Sequence, residues 1–249
     1  MPGLLAHRGL SIERFVDLQV LSPNGIFGLP IGVSAELVFY FILFGAFLER
    51  SGGGELFTDL AYSAAGRVRG GAAKASVVSS ALYGTISGSA VANVVITGQF
   101  TIPLMKKSGL NPAFAGAVEA VASTGGQIMP PVMGAAAFIL AQIIGVSYWE
   151  VAIAAALPAC LYYVALFFAI DFEAVKKGLR GLTKAELPDV KAGLKIRAHL
   201  LVPLLIMIYY IISGTVTPVT AAFRAIVATF LISFLRKATM MGPERLLSA

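Results

Sequence analysis

Two short stretches of the chain place hydroxyl and amide side chains beside glycines in strongly apolar surroundings. The first is GTISGSAVAN, residues 84–93, and the second is STGGQIMPPVMG, residues 123–134. Their oxygen atoms are hard ligands that suit an alkali cation, and neither stretch carries the thiolate or imidazole that a transition metal prefers. The candidate ion- and substrate-binding residues in them are Ser87, Gly88, Ser89, Asn93, Ser123, Thr124, Gly125, Gly126, Gln127, Pro130 and Pro131. Among these, the candidate Na⁺ ligands are Ser87, Ser89, Asn93 and Thr124.

A carboxylate lies shortly before the second stretch. Glu119 is the only charged residue between Lys107 and Glu150. An ionisable residue at membrane depth is by default a candidate functional residue. Glu119 is therefore added to the candidate binding residues, as a site for a coupling cation or a proton. The alternative is a carboxylate near the cytoplasmic end of its helix that pairs with Lys106 or Lys107. The sequence leaves both interpretations open.

Composition places the chain among integral membrane proteins. It is 57% hydrophobic and 13% charged, with a mean hydropathy of +0.83, whereas a soluble domain carries about 25% charged residues. Because no alternation of period two is visible, we predict helical spans and therefore an all-α integral membrane protein. The net charge of +6 comes from Lys and Arg gathered in a few loops, which indicates membrane topology rather than nucleic-acid binding.

Residues suited to redox, metal or nucleophilic chemistry are sparse. Cys160 is the single cysteine, and the two histidines, His7 and His199, are far apart in sequence. A disulfide within the chain and a transition-metal site are therefore unsupported, and we expect no cofactor other than Na⁺ as a coupling ion. Because no constellation of His, Cys or paired carboxylates occurs at membrane depth, an enzyme is disfavoured.

The interval that contains the first stretch has an informative length. Between Lys74 and Lys106 lie 31 residues, 75–105, none of them charged. Two complete spans need about 40 residues and one needs about 20, whereas two arms of about 15 residues each reach only about 22 Å. Basic residues at both ends place both ends on the cytoplasmic side. The interval therefore predicts a re-entrant helical hairpin with Ser87-Gly88-Ser89 near its tip.

The second stretch interrupts what would otherwise be one long helix, residues 113–145. Tandem Gly lowers helix propensity, and tandem Pro removes backbone donors and clashes with the preceding turn. We predict a discontinuous helix with halves at about 113–124 and 132–145, each about 18–21 Å long. The break between them then falls near the middle of the membrane.

The rest of the chain divides by apolar length and charge. Seven basic and three acidic residues in the segment 172–197 place that segment in the cytoplasm. The predicted organisation is an N-terminal loop or interfacial segment (1–32), a first transport repeat (33–171) with spans at about 33–48 and 151–170, a basic cytoplasmic loop (172–197), and two short membrane segments with a cytoplasmic tail (198–249).

Other roles for the two stretches are open. Small residues such as Gly84 and Gly88 also allow close helix packing, and Ser or Thr hydroxyls can bond helices together. Two interrupted elements at similar depth favour a binding role, because secondary transporters coordinate Na⁺ with unwound carbonyls and face anionic substrates with half-helix N-termini. Re-entrant loops also line pores. An ion channel, or a membrane subunit or fragment that does not transport by itself, is therefore the alternative function.

At these residues the sequence resembles the large membrane subunit of TRAP transporters (tripartite ATP-independent periplasmic transporters), most closely the fused permeases that work with TAXI-type solute-binding proteins. The resemblance covers about 25–180 and is carried by FGAFLERSGGGELFTDLA, GRVRGGAAKASVVSSALYGTISGSAVANVVITGQFTIPLMKKSG and FAGAVEAVASTGGQIMPPVMGAAAFILAQIIGVSYWEVAIAAALPA. It implies a Na⁺-coupled importer of organic acids that works by an elevator movement, with an extracytoplasmic binding protein delivering the substrate. The implied fold has two inverted repeats, each with a hairpin and a broken helix.

The same resemblance assigns residues and partners. It maps the hairpin tip to Ser87, Gly88, Ser89 and Asn93, and the break to Thr124, Gly125, Gly126, Pro130 and Pro131. It implies a multi-pass protein of the bacterial or archaeal cytoplasmic (inner) membrane, surrounded by lipid, with an organic anion as substrate and a small membrane subunit that can be fused upstream. Since the segment 181–249 carries no second hairpin or Pro-Pro break, we expect a fragment that contains one of the two repeats.

Overall fold

The computed structural model describes residues 9–22, 25–183, 187, 190–236 and 238–242. These residues form helices and no strand, which confirms the all-α prediction. The α-helices are α1 Ile12–Val16, α2 Leu29–Val33, α3 Phe39–Arg50, α4 Gly53–Ala65, α5 Gly71–Ser87, α6 Ala90–Lys107, α7 Pro112–Gly125, α8 Ala135–Ile144, α9 Tyr148–Lys176, α10 Val190–Arg197, α11 Leu201–Ser213 and α12 Pro218–Ser233. Two π-helical stretches, Asp17–Leu21 and Ser34–Val38, and a 3₁₀ turn, Ala198–Leu200, adjoin them.

Among the described helices, three stretches are long and apolar enough to cross a membrane. They are Ile31–Arg50, Tyr148–Lys176 and Gly193–Ser213. The predicted spans at 33–48 and 151–170 lie inside the first two of them. Most of the α9 surface is not covered by other described residues, as expected of a helix that faces lipid. These helices confirm a multi-pass membrane protein, whereas α8 and α12 are apolar but shorter.

The predicted hairpin is a pair of helices, α5 and α6, joined by a tight turn. Gly88 ends α5 in the left-handed conformation, with φ of 56°. Ser89 begins α6 as its N-cap, and its hydroxyl accepts the Ala92 N–H at 3.3 Å. The arms have 17 and 18 residues, rather than the expected 15. α5 begins at Gly71 and includes the buried Lys74, and α6 continues through Lys106 and Lys107. That the hairpin turns back inside the membrane stays a prediction.

The discontinuous helix consists of α7 and α8 with an irregular segment, 126–134, between them. The second half begins at Ala135, three residues later than expected, because residues 132–134 remain in the break. The break is closed by the Gly134 N–H, which donates to the Gln127 carbonyl at 2.7 Å. The Tyr148 hydroxyl donates to the carbonyls of Pro131, at 3.0 Å, and Val132. These bonds satisfy backbone groups that the interrupted helix leaves free.

Helix packing brings the two interrupted elements together. α7 packs against both arms of the hairpin, α4 packs along α5, and α9 packs against α5 and α7. Small buried residues on α5 permit this close approach: Gly71, Ala72, Ala73, Ala75, Ser76, Ser79, Ser80 and Gly84. Lys74 of α5 is tied to α9 by an ion pair with Asp171, at 2.5 Å. The α5 arm is therefore packed among α4, α6, α7 and α9, whereas one face of α6 is exposed at Val91, Val95 and Phe100.

The predicted N-terminal segment, basic loop and tail are described only in part. Residues 1–8, 23–24, 184–186, 188–189, 237 and 243–249 lie outside the described residues. Where the loop 172–197 is described, it is largely helical, since α9 continues to Lys176 and α10 covers Val190–Arg197. Arg197 then ties α10 to α4 through ion pairs with Glu55 and, at 3.4 Å, Asp59.

Candidate functional site

The hairpin tip and the helix break touch through their backbones. A Cβ atom on Gly84 would lie 2.4 Å from the Gly126 Cα, and one on Gly88 would lie 1.9 Å from the Met133 carbonyl oxygen. Both distances are far below van der Waals contact, so only glycine fits at either position. The small residues of the first stretch therefore do allow close packing, and what they pack against is the break.

Beside this contact lies a cavity of about 430 Å³, which we call the tip cavity. The hairpin tip contributes the two hydroxyls of Ser87 and Ser89, and the break contributes the Gln127 side chain. The opposite wall is apolar. The lining residues are Val38, Phe41, Ile42, Ser87, Gly88, Ser89, Gln127, Ile128, Val132, Met133, Gly134, Ala135, Ala136 and Phe138.

The electrostatics of the tip cavity come from backbone rather than from charged side chains. None of the described lining residues is charged. Two helices begin at its wall, α6 after the N-cap Ser89 and α8 after the N-cap Gly134. A helix N-terminus carries partial positive charge and N–H groups without intrahelical partners. The cavity therefore offers amide donors to an anion and carbonyl and hydroxyl oxygens to a cation.

A second polar site, which we call the carboxylate cage, surrounds Glu119. The Glu119 side chain is fully buried. Five hydroxyl groups from three helices lie at hydrogen-bond distance from its carboxylate. All five donate to it. On α5 they are Ser76, at 2.6 Å, and Ser80, at 3.2 Å. On α6 they are Thr97 and, at 2.5 Å, Thr101, and on α7 the donor is Ser123, at 3.3 Å.

Asn93 joins the two hairpin arms next to this cage. Its side-chain N–H donates to the Ser80 carbonyl of α5 at 2.8 Å. Its side-chain oxygen lies 3.2 Å from the Thr97 hydroxyl, which also reaches the Asn93 backbone carbonyl at 2.8 Å. Asn93 is fully buried. It therefore fixes the spacing of the arms at the level of Glu119.

The structure divides the predicted site residues between these two places. Ser87, Gly88, Ser89 and Gln127 line the tip cavity, whereas Glu119 and Ser123 belong to the carboxylate cage and Asn93 adjoins it. The four candidate Na⁺ ligands are not brought together, because Asn93 lies beside the cage and Thr124 is exposed. The Thr124 hydroxyl donates to the Ala120 carbonyl of its own helix at 2.8 Å.

The glycines and prolines of the break act through backbone. Gly126 meets Gly84, and Gly125 allows α9 to approach, since a Cβ there would lie 2.5 Å from the Tyr162 ring. Pro130 and Pro131 lie in the irregular segment, and the Pro131 carbonyl accepts from Tyr148. The sequence alternative for Glu119, a pair with Lys106 or Lys107, is wrong. Both lysines are exposed, and no ion pair of the described residues includes Glu119.

Sequence reasoning missed four cage hydroxyls and the buried Tyr62 of α4. The missed hydroxyls have a signal in the sequence, because Ser76 and Ser80, and Thr97 and Thr101, are each four residues apart and so share a helix face. Glu119 and Ser123 repeat this spacing on α7. Nothing in the sequence singles out Tyr62, whose hydroxyl is buried without a hydrogen-bond partner among the described residues.

Comparison with known proteins identifies the family of this chain. The family model for "Tripartite ATP-independent periplasmic transporter, DctM component" matches residues 5–248. The chain belongs to the DctM family. Membership confirms the resemblance to TRAP large permeases and agrees with a transport protein rather than an enzyme. The match does not distinguish a TAXI-associated or fused type.

Individual relatives of this DctM-family chain are similar along most of its length. The C4-dicarboxylate TRAP transporter large permease protein DctM of Pseudomonas aeruginosa is 30% identical over 239 residues, which cover 91% of this chain and 56% of that protein. The sialic acid TRAP transporter large permease protein SiaM of Vibrio cholerae is 29% identical over 183 residues, 74% of this chain and 42% of that protein. The chain thus spans about half the length of these curated relatives.

Proposed function

We propose that this DctM-family chain provides one transport repeat of a Na⁺-coupled, binding-protein-dependent permease that imports organic acids by an elevator movement. The observation that carries the proposal is the backbone contact between the hairpin tip and the break, with the tip cavity beside it. Irregular backbone at membrane depth is tolerated where it is buried in protein or lines a wet cavity. The tip cavity gives both interrupted elements such a place.

The chemistry of the tip cavity supports an anion with an accompanying cation. The N-termini of α6 and α8 suit a carboxylate of the substrate. Na⁺ suits the hydroxyls of Ser87 and Ser89 together with carbonyl oxygens that the break leaves outside helical hydrogen bonds. The apolar wall that includes Phe41 and Phe138 suits the carbon skeleton of an organic acid. C4-dicarboxylates and sialic acid, named for the relatives, are both organic acids.

The proposal includes partners and a location. The family description names a tripartite, periplasmic system, so we propose that the permease works with an extracytoplasmic solute-binding protein, of the TAXI type, and a small membrane subunit. Its place is the cytoplasmic membrane of a bacterium or archaeon. The exposed apolar side chains of α9, Leu157, Leu161, Val164 and Phe168 among them, supply the lipid contact that this location requires.

Uptake by a complete permease that contains this repeat tests the proposal. The permease is reconstituted in liposomes with its small subunit and binding protein, and uptake of labelled organic acids is measured against a Na⁺ gradient. Ser89→Ala should weaken the dependence of uptake on Na⁺ more than it lowers the amount of folded protein. Thr124→Val is the matched control, because the Thr124 hydroxyl is exposed and bonds its own helix.

Two results would contradict the proposal. Uptake that is independent of Na⁺ in the unmodified permease removes the coupling ion from it. A passive ionic conductance that needs no binding protein identifies a channel instead. Equal effects of Ser89→Ala and Thr124→Val would remove the Ser89 hydroxyl from the ion site.

A further inference from the structure

The carboxylate cage holds a buried acid that has no cationic partner in the part of the chain that the structure describes. Glu119 is fully buried, and no described ion pair includes it. An isolated buried carboxylate is costly unless it is paired, hydrogen-bonded or neutralised. Within the described ranges, the donors that stabilise the negative form are the five hydroxyl groups. A group held in this way can be neutralised by an ion that reaches it.

Hydroxyl groups suit both forms of this carboxylate. A Ser or Thr hydroxyl has one proton and two acceptor lone pairs, so it can donate to a carboxylate or accept from a carboxylic acid. The Thr97 hydroxyl also reaches the Asn93 carbonyl at 2.8 Å, and the Thr101 hydroxyl reaches the Thr97 carbonyl at 3.0 Å. These hydroxyl protons can turn to the helix carbonyls when Glu119 carries its own proton. The heavy atoms need not move.

The tightness of the cage selects the ion. The Ser76 and Thr101 hydroxyls lie 2.6 and 2.5 Å from the Glu119 carboxylate, which is the short end of the range for direct O–H···O bonds. A metal cation placed between these oxygens would have to push them apart. A proton requires no additional space.

A path to the surface begins at Tyr62. Tyr62 is buried, with 2% of its surface exposed, and its hydroxyl has no hydrogen-bond partner among the described residues. It belongs to the same buried cluster as Val118 and Ala122 of α7, which are the sequence neighbours of Glu119 and of the cage residue Ser123. Burial, and after it the negative charge of Glu119, raises the pKa of Tyr62 above the usual tyrosine value. Tyr62 also lines a pocket of about 440 Å³ together with Thr58, Asp59 and Arg197.

We propose that Glu119 is a proton-binding site, separate from the tip cavity. We propose also that Tyr62 and the pocket that it lines with Thr58, Asp59 and Arg197, called the pocket beneath α4 from here on, connect this site to the surface of the protein. On release, the O–H bond of the Glu119 carboxylic acid breaks and the proton passes by way of the Tyr62 hydroxyl to water or to the Asp59 carboxylate in the pocket. Tyr62 is neutral before and after, and Glu119 ends as the carboxylate with its five hydroxyl donors.

Other ionisable groups on the helices packed against the cage are already engaged or face away. Lys74 of α5 bonds Asp171, and the Tyr83 hydroxyl of α5 donates to Glu49. From α9, the hydroxyls of Tyr162 and Tyr163 donate to the carbonyls of Val121 and Ala122. On α6, Lys106 and Lys107 are exposed. On α4, Glu55 and Asp59 pair with Arg197. Tyr62 remains as the ionisable group in the buried cluster beside the cage whose hydroxyl has no hydrogen-bond partner among the described residues.

Infrared difference spectroscopy on the purified chain in lipid nanodiscs tests the site without any transport assay. The proton site needs only the fold, so its failure and the failure of the proposed function are distinguishable. Acidification should produce a carboxylic-acid carbonyl band that is lost in Glu119→Gln and is unchanged by added NaCl or LiCl. Thr101→Val should move the appearance of the band to higher pH, because the ionised form loses a donor.

The path is tested by the rate at which the band appears after a pH jump. Tyr62→Phe should slow the rate at least tenfold with the same final amplitude, and Tyr163→Phe, a second buried tyrosine, should leave the rate unchanged. The site is overturned if the band is still present in Glu119→Gln and the pH at which it appears is unchanged in Thr101→Val. It is also overturned if added Na⁺ makes the band disappear. Equal rates in the two tyrosine variants overturn the path. Should Glu119→Gln fail to fold, Thr101→Val still tests the site.

Discussion

The tip cavity and the carboxylate cage share the hairpin but use different means to place polar atoms in a membrane protein. The tip cavity is built at helix ends and glycines, where backbone groups supply polarity beside the side chains of Ser87, Ser89 and Gln127. The cage is built from side chains within the helices α5, α6 and α7, and every one of its hydroxyls points at one carboxylate. About seven residues of α5, roughly 10 Å, separate Ser80 from Ser87.

The difference shows where each region tolerates change. Backbone sites depend on the shape of the chain, so steric changes should harm them most. Side-chain sites depend on matched donors and acceptors, so polarity changes should harm them most. The same hairpin can therefore carry an open site at its tip and a closed site within its arms.

The largest effect is expected from a methyl group at the tip. Gly88→Ala places a Cβ atom 1.9 Å from the Met133 carbonyl oxygen in a residue with φ of 56°. Overpacking of this kind costs about 1–3 kcal/mol, and the left-handed conformation adds about 1–2 kcal/mol for a residue with a side chain. Thermal unfolding of the protein in detergent should show a free energy of unfolding lowered by about 3 kcal/mol.

Gly116→Ala is the matched control for Gly88→Ala. Gly116 lies within α7, and a Cβ there would meet nothing within 4 Å. Ala is favoured over Gly inside a helix by about 1 kcal/mol, so this variant should be unchanged or more stable. Equal destabilisation of both variants would show that the contact between tip and break does not depend on shape.

A change of polarity at Glu119 should have the next largest effect. Glu119→Leu removes the acceptor of the five cage hydroxyls, and a buried unsatisfied donor costs about 1–3 kcal/mol. Thr97 and Thr101 can turn to helix carbonyls, at 2.8 and 3.0 Å, and the three serine hydroxyls can turn to carbonyls one helical turn earlier. Glu119→Leu also removes the cost of burying a carboxylate, so the net loss should be about 2 kcal/mol. Glu119→Gln keeps an acceptor and should lose less than half of this. If Glu119→Leu were as stable as the unmodified chain, the hydroxyls would not depend on the carboxylate.

Much of the fold that carries both regions is predictable from local sequence. The uncharged interval with Gly88 and Ser89 inside it predicts a helix pair with a turn there, and the tandem Gly and Pro predict the break. Both are local effects, since a left-handed residue, an N-cap and a missing donor act within one helical turn. The end of the break is less predictable, because the contact of Tyr148 with Pro131 holds residues 132–134 out of α8.

The division of the candidate residues between two sites is not predictable in the same way. The sequence places Ser123 beside Thr124, yet one hydroxyl is buried against Glu119 and the other is exposed. Successive residues on a helix point about 100° apart, so the direction in which the hairpin packs on α7 decides which one is used. The hydroxyl pairs spaced by four residues mark polar faces, but tertiary packing decides that three such faces converge.

The smallest expected effect is on the pH dependence of stability, which should differ between the tip cavity and the pocket that leads toward the cage. The described lining of the tip cavity contains no ionisable side chain, whereas the pocket that leads toward the cage contains Asp59. Burial raises the pKa of Asp59, nearby Arg197 lowers it and Glu55 raises it, with a net upward shift. A raised carboxyl pKa in the folded state adds stability below the ordinary Asp pKa of about 3.9, and this stability is lost as the pH rises through the folded pKa.

Asp59→Asn should therefore flatten the acidic part of the stability profile by less than about 1 kcal/mol, and Gln127→Ala should leave its shape unchanged. Thermal unfolding at a series of acidic pH values in detergent measures both. Asn cannot titrate but can still accept a bond from Arg197, so loss of the slope in Asp59→Asn would come from ionisation rather than from a lost contact. A slope that persists in Asp59→Asn and disappears in Gln127→Ala would reverse the comparison, because the acid sensitivity would then lie with the tip cavity and not with the pocket beneath α4.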